Sequence, residues 1–256
     1  MTRPVRRRAY LFALLALCAS GPLTAQDTSP AMGRPLRHSP QPEAREQTAP
    51  VFIHQGFHPQ EGLALPWGES QFEKFRAAYL SPGGKSWIET IAKRSLPYAA
   101  YIQERIRHYG LPKELFYLPF IESEYSAKAV SKSGASGLWQ FMRNSVGGYD
   151  MRINDWLDER RDFMKSTDGA LRKLMWNYER FGDWLLALAA YNCGAGAMDR
   201  AIASTGLRDY WELRARGALP SETASYIPKF LALVSVASQP GRNKLSLSWN
   251  PPMEWV

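Results

Sequence analysis

The sequence predicts a mainly α-helical fold. Ser70 with Glu73 and Ser86 with Glu89 have the spacing of a capping box, in which two side chains satisfy the free N–H groups of a helix start. Apolar residues recur three or four positions apart after each pair, as on the buried face of a helix. Long alternating strand patterns are absent from the sequence, so helices are expected to dominate the fold.

The first 25 residues have the pattern of an export signal. Four arginines among the first eight residues form a basic start, and the apolar stretch Ala9–Ala19 is too short to span a bilayer. A cleavage site with small residues lies after Ala25, so residues 1–25 are predicted to be a signal peptide. The alternative is a lipoprotein, in which Cys18 would carry the lipid, although the residue before it is bulkier than expected for such a site.

Removal of this segment changes the charge of the chain. The segment contains four arginines and no acidic residue, so the net charge falls from +8 to +4. No stripe of lysine and arginine is interleaved with aromatic residues, which argues against a nucleic-acid-binding surface. Cys193 is the one cysteine left, so an intramolecular disulfide is excluded and stability must come from the core.

The remaining sequence divides into a tether, one domain and a tail. Residues 26–50 contain five prolines among polar and charged residues, a composition typical of a flexible, disordered tether. Residues 51–240 are rich in aromatic and aliphatic residues and suffice for one domain with a sizeable core. Residues 241–256 are a C-terminal tail, in which Lys244–Trp249 alternates like a short strand.

Proline and glycine divide the first half of the domain into helices. Ser81–Gly84 is predicted to break the chain, and Pro97 and Pro112 to open helices, of which the first ends at Gly110. The second helix contains Pro119, whose ring removes a backbone hydrogen bond and is expected to bend the axis. That bend would direct the following turn, which contains a glutamate, into a cleft.

The second half of the domain is predicted to contain a loop and several further helices. Gly182 separates two of these helices, and Asp183 has a side chain suited to cap the second. Gly194 and Gly196 are expected to end that helix. The predicted ranges are a loop at 127–136, a short helix at 138–145, and helices at 166–181, 183–192, 197–205 and 222–238.

Glu122 is the strongest candidate for a chemical role. It ends the apolar run Leu118–Ile121, and removal from water favours the neutral acid and raises its pKa. A carboxyl with a raised pKa can donate a proton near neutral pH, so Glu122 is a candidate general acid. The alternative is a helix-end glutamate that faces water. Glu124 points to another side of the helix and is expected to be a solvated surface acid.

Gln140 lies between two aromatic residues, Trp139 and Phe141, which are expected in the core. A buried amide must have partners, and a sugar hydroxyl or acetamide could supply them. Met142 follows this segment, and by default it fills a gap in the core.

Tyr191 and Asn192 lie at a predicted helix end and have two interpretations. They could bind a ligand, or Asn192 could cap the helix in a left-handed conformation. Tyr226 is uninformative alone, because a tyrosine on an amphipathic helix usually packs its ring and exposes its hydroxyl.

The histidines have no metal-ligand spacing, no glycine-rich phosphate loop follows a strand, and Cys193 has no evident histidine partner. We therefore expect neither a metal nor another cofactor.

Four motifs occur in the order and approximate spacing of those in lytic transglycosylases, a family that shares its fold with goose-type lysozyme. The similarity covers roughly residues 70–240 and implies a lysozyme-like helical domain of the soluble lytic transglycosylase type. The motifs are Glu122-Ser123, Gly137-Leu138-Trp139-Gln140, Ala190-Tyr191-Asn192 and Tyr226. Segments that resemble the membrane-bound lytic murein transglycosylase D branch are Leu111–Leu115, Leu118-Pro119, Asn154-Asp155-Trp156 and Phe181–Trp184.

The resemblance implies the reaction and the roles of the site residues. Members of this family cut the MurNAc–GlcNAc β-1,4 bond of peptidoglycan without water and form 1,6-anhydroMurNAc ends. One carboxyl suffices, because the substrate's own C6 hydroxyl is the nucleophile. Glu122 would be the catalytic acid/base, and the substrate-binding residues would be Ser123, Gln140, Met142, Tyr191, Asn192 and Tyr226.

Two other functions stay open, namely a lysozyme-like hydrolase that uses water and a non-catalytic peptidoglycan-binding protein. The resemblance implies a periplasmic protein whose partner is the glycan strand, with membrane attachment only if Cys18 is lipidated. Arg143 and Cys193 depart from the family pattern, which affects the expected local shape of the cleft. No wall-binding repeats follow the domain, so the cleft and a modest positive charge are expected to hold the wall.

Overall fold

The computed structural model describes residues 62–247, so the predicted signal peptide, Cys18 and the tether lie outside the described residues. Within 62–247 the chain forms nine α-helices and three short 3-10 helices, and its only β pairings are isolated bridges. The mainly α prediction is confirmed. The helices are α1 (Ser70–Leu80), α2 (Pro82–His108), α3 (Leu118–Ser123), α4 (Phe163–Phe181), α5 (Trp184–Cys193), α6 (Ala195–Thr205), α7 (Tyr210–Ala215), α8 (Ser221–Ala237) and α9 (Pro240–Asn243).

The first two helices are separated by a single residue. Glu69 caps α1, because its carboxylate accepts the N–H of Phe72 at 2.6 Å. Ser81 caps α2 through its hydroxyl. The predicted capping boxes at Ser70 and Ser86 are therefore wrong: Ser70 is the first helical residue of α1, and Ser86 lies inside α2.

The second helix continues through Pro97, so the prediction that this proline opens a new helix is wrong. Its buried face runs on both sides of the proline and includes Ile91 and Ile102. Burial of that face along the whole helix outweighs the hydrogen bond that the ring removes.

Pro119 does not bend a helix, contrary to the sequence-based prediction. The chain forms a 3-10 helix at Lys113–Tyr117, and α3 then begins at Leu118, so Pro119 lies in the first turn of α3. An N–H in this turn would lack an intrahelical partner, so the proline removes nothing from the helix. The change of helix type before Leu118, rather than a kink, sets the direction of the short helix that carries Glu122.

The segment after α3 is a loop stabilised by backbone bridges, and the predicted short helix at 138–145 is absent. Ser136 pairs with Val130 and with Phe141, and a 3-10 helix occupies only Arg143–Ser145. Gln140 has φ 49°, in the left-handed region, which is incompatible with a continuous right-handed helix there.

The later helices lie close to their predicted positions. Asp183 caps α5 as predicted, with its side chain accepting the N–H of Leu186 at 2.9 Å. Asp162 caps α4 and starts it earlier than predicted. Gly194 ends α5, whereas Gly196 lies inside α6. The short helix α7 was not predicted.

The core surrounds α5 and α8, whose residues are largely buried. α5 packs against α4, α6, α7 and α8, and α8 packs against α1. In the described part of the C-terminal tail, residues 244–247 form no strand, so the strand prediction is wrong there. None of the helices within the described range has the length and apolar character needed to cross a membrane.

Candidate active site

Glu122 is the penultimate residue of α3, and its carboxyl meets α8. The hydroxyl of Tyr226, a residue of α8, donates a hydrogen bond to Oε1 of Glu122. Burial raises the pKa of Glu122 from 4.5 to about 7, against the lowering effects of the Tyr226 hydroxyl and of two nearby lysines. Glu122 therefore has both its neutral and its ionised form available near neutral pH.

Two lysines that the sequence did not single out flank this carboxyl. The Nζ atom of Lys173, on α4, lies 4.6 Å from the ring centroid of Tyr191 and 5.6 Å from that of Phe141. Lys229 follows Tyr226 by three residues on α8. Burial lowers the pKa of both lysines, and the negative charge of Glu122 opposes that change. The i,i+3 spacing from Tyr226 was a usable signal for Lys229, whereas no pattern linked Lys173 to Glu122.

Ser123 follows Glu122, but its hydroxyl is directed into the protein. It donates to the carbonyl oxygen of Leu138 at 2.8 Å, and its side chain is buried. This bond ties α3 to the turn that contains Gln140. A direct contact between Ser123 and substrate stays a prediction.

Part of the hydrogen-bonding capacity of the Gln140 amide is used within the turn at 137–140. Nε2 of Gln140 donates to the carbonyl oxygen of Gly137 at 2.8 Å. Trp139 and Phe141, on either side of it, are fully buried, as predicted. Met142 is 39% exposed, so its default interpretation as a core residue is wrong.

Tyr191 lies at the centre of the site. Its hydroxyl donates to the carbonyl oxygen of Trp139 at 2.8 Å, and its ring packs edge-on against that of Phe141. Burial raises the pKa of Tyr191 above its ordinary value, so the hydroxyl stays protonated and keeps this bond. Tyr191 thereby fixes the 137–141 segment against α5.

Asn192 is helical, so the capping interpretation is wrong: the cap of α5 is Gly194. Oδ1 of Asn192 accepts the hydroxyl of Thr223 at 2.7 Å, and Nδ2 reaches a carboxylate oxygen of Glu222 at 3.5 Å. Asn192 therefore links the end of α5 to the start of α8, one turn before Tyr226.

Glu124 is held away from the site. It ends α3 in a left-handed conformation, with φ 52°, and its side chain is 51% exposed. Its carboxylate accepts hydrogen bonds from Arg94 and from the indole of Trp87, each at 3.1 Å. The predicted surface location is correct, and the acid is also paired.

Burial raises the pKa of the Cys193 thiol, which disfavours a thiolate nucleophile.

The structure thus brings Tyr226 into direct contact with Glu122, with Tyr191 and Asn192 on the adjoining end of α5. Gln140 and Ser123 belong to the neighbouring turn and to its anchor on α3. Within residues 62–247 no cluster of three or more His, Cys, Asp or Glu side chains could hold a metal ion. The arrangement is that of one partly buried carboxyl with a hydroxyl donor and two cations, which suits proton transfer.

Residues 100–214 match the family model described as the transglycosylase SLT domain. The matched segment contains Glu122, Gln140, Tyr191 and Asn192, and it ends before Tyr226. The chain is 36% identical over 157 residues to the membrane-bound lytic murein transglycosylase D of Escherichia coli strain K12, a match that covers 59% of this chain. It is 38% identical over 120 residues to a putative tributyltin chloride resistance protein of Alteromonas sp. strain M-1.

The chain spans 34% of the length of the Escherichia coli relative and 57% of that of the Alteromonas relative. The latter match covers 46% of this chain. Among solved structures, the 70 kDa soluble lytic transglycosylase of Escherichia coli matches with a TM-score of 0.44 and 16% identity, over 73% of this chain and 32% of that one.

Proposed function

We propose that this protein is a peptidoglycan lytic transglycosylase, because residues 100–214 match the transglycosylase SLT domain model and the four sequence motifs resemble the same family. It cleaves the MurNAc–GlcNAc β-1,4 bond and leaves 1,6-anhydroMurNAc ends, with Glu122 as its single acid/base. The observation that carries this proposal is the partly buried Glu122 carboxyl, with its pKa raised to about 7 and a hydroxyl donor on Oε1.

The first step needs Glu122 in its neutral form. Its proton passes to the glycosidic oxygen as the bond between that oxygen and C1 of MurNAc breaks, and positive charge develops at C1. A solvated glutamate would be ionised at neutral pH, whereas burial keeps a substantial fraction of Glu122 protonated. The low exposure of the Glu122 carboxyl is therefore what makes it available as a proton donor near neutral pH.

The second step needs the carboxylate. It removes the proton from the C6 hydroxyl of MurNAc, whose oxygen then bonds to C1 and closes the anhydro ring, so Glu122 ends neutral again. The Tyr226 hydroxyl and the positive charges of Lys173 and Lys229 stabilise the carboxylate between the two steps. Burial and these three groups have opposite effects on the pKa, which keeps both forms accessible.

The surrounding residues divide into those that shape the cleft and those that are accessible. The hydroxyls of Ser123 and Tyr191 are bonded to backbone carbonyls, so we assign them to positioning. Met142 is exposed, and Gln140 and Asn192 are partly exposed, so these three are the groups that we expect to contact N-acetyl sugars. Proton transfer itself depends on Glu122 and Tyr226.

This activity places the protein in the periplasm, with glycan strands of peptidoglycan as its partner. The export pattern of residues 1–25 supports that location, and the Escherichia coli relative is named as membrane-bound. N-terminal sequencing of exported protein distinguishes the two routes: a start at Gln26 corresponds to ordinary cleavage, and a lipidated start at Cys18 to membrane attachment.

Digestion of purified peptidoglycan tests the proposed activity. We expect Glu122→Gln to lower turnover by about 10²–10⁴-fold, because glutamine keeps the shape but cannot transfer the proton. Glu124→Gln is the matched control, two residues away on the surface, and should leave turnover nearly unchanged. Loss of activity in the control with retention in Glu122→Gln would show that the acid is assigned to the wrong residue.

Mass spectrometry of the released fragments separates the proposal from its alternatives. Anhydro ends are lighter than reducing ends by one water molecule. Fragments with reducing ends would instead identify a lysozyme-like hydrolase, in which Glu122 activates water. Binding to the wall without release of fragments would identify a non-catalytic peptidoglycan-binding protein.

A further inference from the structure

Trp156 is the most exposed large hydrophobic residue of the described chain, with 97% of its surface accessible. A tryptophan is usually buried over much of its area, because its ring is the largest apolar side chain. Here the ring lies in the loop between the 3-10 helix at Arg143–Ser145 and α4, and it contributes almost nothing to the core.

The backbone that presents this ring is a tight, hydrogen-bonded turn. The N–H of Asn154 donates to the carbonyl oxygen of Leu157 at 2.8 Å. The side-chain oxygen of Asn154 accepts the N–H groups of Trp156 and Leu157, both at 2.9 Å. An antiparallel bridge between Ile153 and Asp158 closes the base of the turn. Trp156 is therefore displayed on a defined support, which reduces the ordering cost of binding.

Two largely buried charged residues fix the base of this turn. Glu159, 5% exposed at its side chain, accepts the backbone N–H of Arg152 at 2.7 Å and pairs with Lys165 at 2.5 Å. Arg160, 8% exposed, donates to the carbonyl oxygens of Gly134 and Phe141, at 2.8 and 3.0 Å. Arg160 thereby connects the Trp156 turn to the segment that contains Gln140.

The backbones of the two segments are in direct contact. A Cβ atom at Gly137 would lie 1.8 Å from the carbonyl oxygen of Arg160, so no other residue fits there without displacement. Gly137 begins the turn that ends at Gln140, and the exposed Met142 follows. The turn that carries Trp156 is thus in direct contact with the segment 137–142, which lies beside Glu122.

From these observations we propose that Trp156 is a second sugar-binding platform, which stacks on a pyranose ring of the same glycan strand that enters the Glu122 site. This inference rests on the proposed function. The face of an aromatic ring is negatively polarised and attracts the C–H groups on the flat side of a sugar. The exposed polar neighbours Arg152, Asn154 and Asp155 suit the hydroxyls at the rim of that sugar.

The same surroundings favour a glycan over a lipid surface. Membrane-binding segments combine a broad apolar face with an excess of basic residues. Trp156, with the less exposed Leu157, is instead a small apolar patch beside Asp155, and Arg152 is paired with the buried Glu159. A polar polymer with one flat apolar side at each sugar matches that chemistry better.

The test measures binding of the full-length chain with Glu122→Gln, which cannot cleave, to purified peptidoglycan by co-sedimentation. We expect the further change Trp156→Ala to weaken binding by about two- to tenfold, the range for one aromatic stacking contact. Trp156→Tyr keeps a flat ring and should restore most of the affinity. Trp156→Leu keeps apolar area without a ring and should bind as weakly as Trp156→Ala.

Trp67→Ala is the matched control. Trp67 is 57% exposed, and its described ring contacts are with Phe72 and Arg76 of α1, so wall binding should not change. In the active protein, Trp156→Ala should raise KM on soluble glycan strands with kcat nearly unchanged. Melting temperatures should match the parent, because the ring is not part of the core.

The inference would be overturned if Trp156→Ala bound peptidoglycan with the same affinity as the Glu122→Gln parent. It would also be overturned if Trp156→Leu did so. Binding of the parent to phosphatidylethanolamine and phosphatidylglycerol vesicles that Trp156→Ala abolishes, with wall binding unaffected, would assign the ring to a membrane instead. Failure of the proposed function gives a different result: no anhydro product forms, while the binding assay still reports on Trp156.

Discussion

Burial of Glu122 links the chemistry of the site to the stability of the fold. The folded chain holds the proton of Glu122 up to about pH 7, whereas a solvated glutamate releases it near 4.5. Between these pH values the folded state binds more protons than the unfolded state. The contribution of Glu122 to the free energy of unfolding therefore falls as pH rises through this window.

We expect Glu122→Gln to remove this dependence. Above pH 7 the variant should be more stable than wild type by at most about 3 kcal/mol, and the difference should disappear towards pH 4. Lys173 and Lys229 lose a negative neighbour in the variant, which reduces the gain. Urea unfolding at several pH values measures the effect, and parallel stability curves for the two proteins would contradict it.

Burial sets the pH range in which the acid works, and the Tyr226 hydroxyl moves that range to lower pH. The first step requires neutral Glu122, so kcat/KM should fall as pH rises through about 7. The Tyr226 hydroxyl lowers the pKa of Glu122, so Tyr226→Phe should move this falling limb upward by roughly one to two pH units. It should also lower kcat, because the carboxylate loses its donor.

Tyr210→Phe is the control for this pH profile. The Tyr210 hydroxyl donates to the backbone carbonyl oxygens of Thr223 and Ala224 in α8, not to Glu122. Its loss should lower stability and leave the pH limb in place. A limb unmoved by Tyr226→Phe would mean that another group controls the pH dependence.

Single residues were predictable where local sequence determined their environment. Glu122 was found because an apolar run precedes it, and burial of Trp139 and Phe141 followed from their side chains alone. Lys173 was missed, because its approach to the site depends on how α4 packs against α5. The default placement of Met142 in the core was wrong for the same reason, because exposure is set by the loop path and not by residue type, whereas its substrate-binding role, implied by the resemblance, stays a prediction.

At the scale of helices, Arg214 connects three elements around the site. Its guanidinium, on α7, donates to Glu69 before α1 at 2.9 Å, to Gln71 of α1, and to the carbonyl oxygen of Ala224 in α8 at 2.9 Å. The pair with Glu69 is only 23% and 20% exposed. Because Glu69 also caps α1, the same carboxylate stabilises a helix start and a tertiary contact.

We expect Arg214→Met to lower the free energy of unfolding by about 1–3 kcal/mol, because three polar partners, two at α1 and one in α8, lose their donor. Arg180→Met is the control: its pair with Asp199 is 44% and 41% exposed, and exposed pairs contribute little. Urea unfolding of both variants checks this. Equal destabilisation would show that the Arg214 contacts are no stronger than a surface pair.

Asn192 joins α5 to α8, and this link suggests a test that separates binding from structure. Thr223→Val removes the donor to Asn192 but leaves the amide in place. If Asn192 contacts substrate, Asn192→Ala should reduce kcat/KM by an additional amount equivalent to about 1–3 kcal/mol, with a similar loss of stability in both variants. Equal kcat/KM in the two variants would restrict Asn192 to its structural role.

Helix boundaries were predictable where a side chain acts on its own neighbours. Asp183 accepts an N–H three residues away, so its role as a cap follows from sequence. Pro97 and Pro119 were misread, because a proline is compatible with both a helix start and a helix interior. Which of the two applies depends on the burial of the whole helix face, and that is a tertiary property.

For the whole molecule, the mainly α class was predictable from the helical periodicity, and the four spaced motifs pointed to the family whose model residues 100–214 match. The motifs could not give the geometry that joins them. The family match ends at residue 214, whereas Tyr226 lies beyond it on α8. α8 in turn packs on α1, where Gln71 bonds Ser225 at 3.0 Å. The site therefore depends on helices outside the matched segment.

The contact between Tyr226 and Glu122 joins residues 104 positions apart in sequence. Closure of so long a loop is entropically costly, and it is favourable only once the intervening helices have packed. Any state in which α3 to α5 have formed but α8 is undocked would have the acid without its hydroxyl donor. Recovery of wall cleavage after refolding therefore reports the docking of α8, whereas circular dichroism reports only that helices have formed, so the two signals should separate in time.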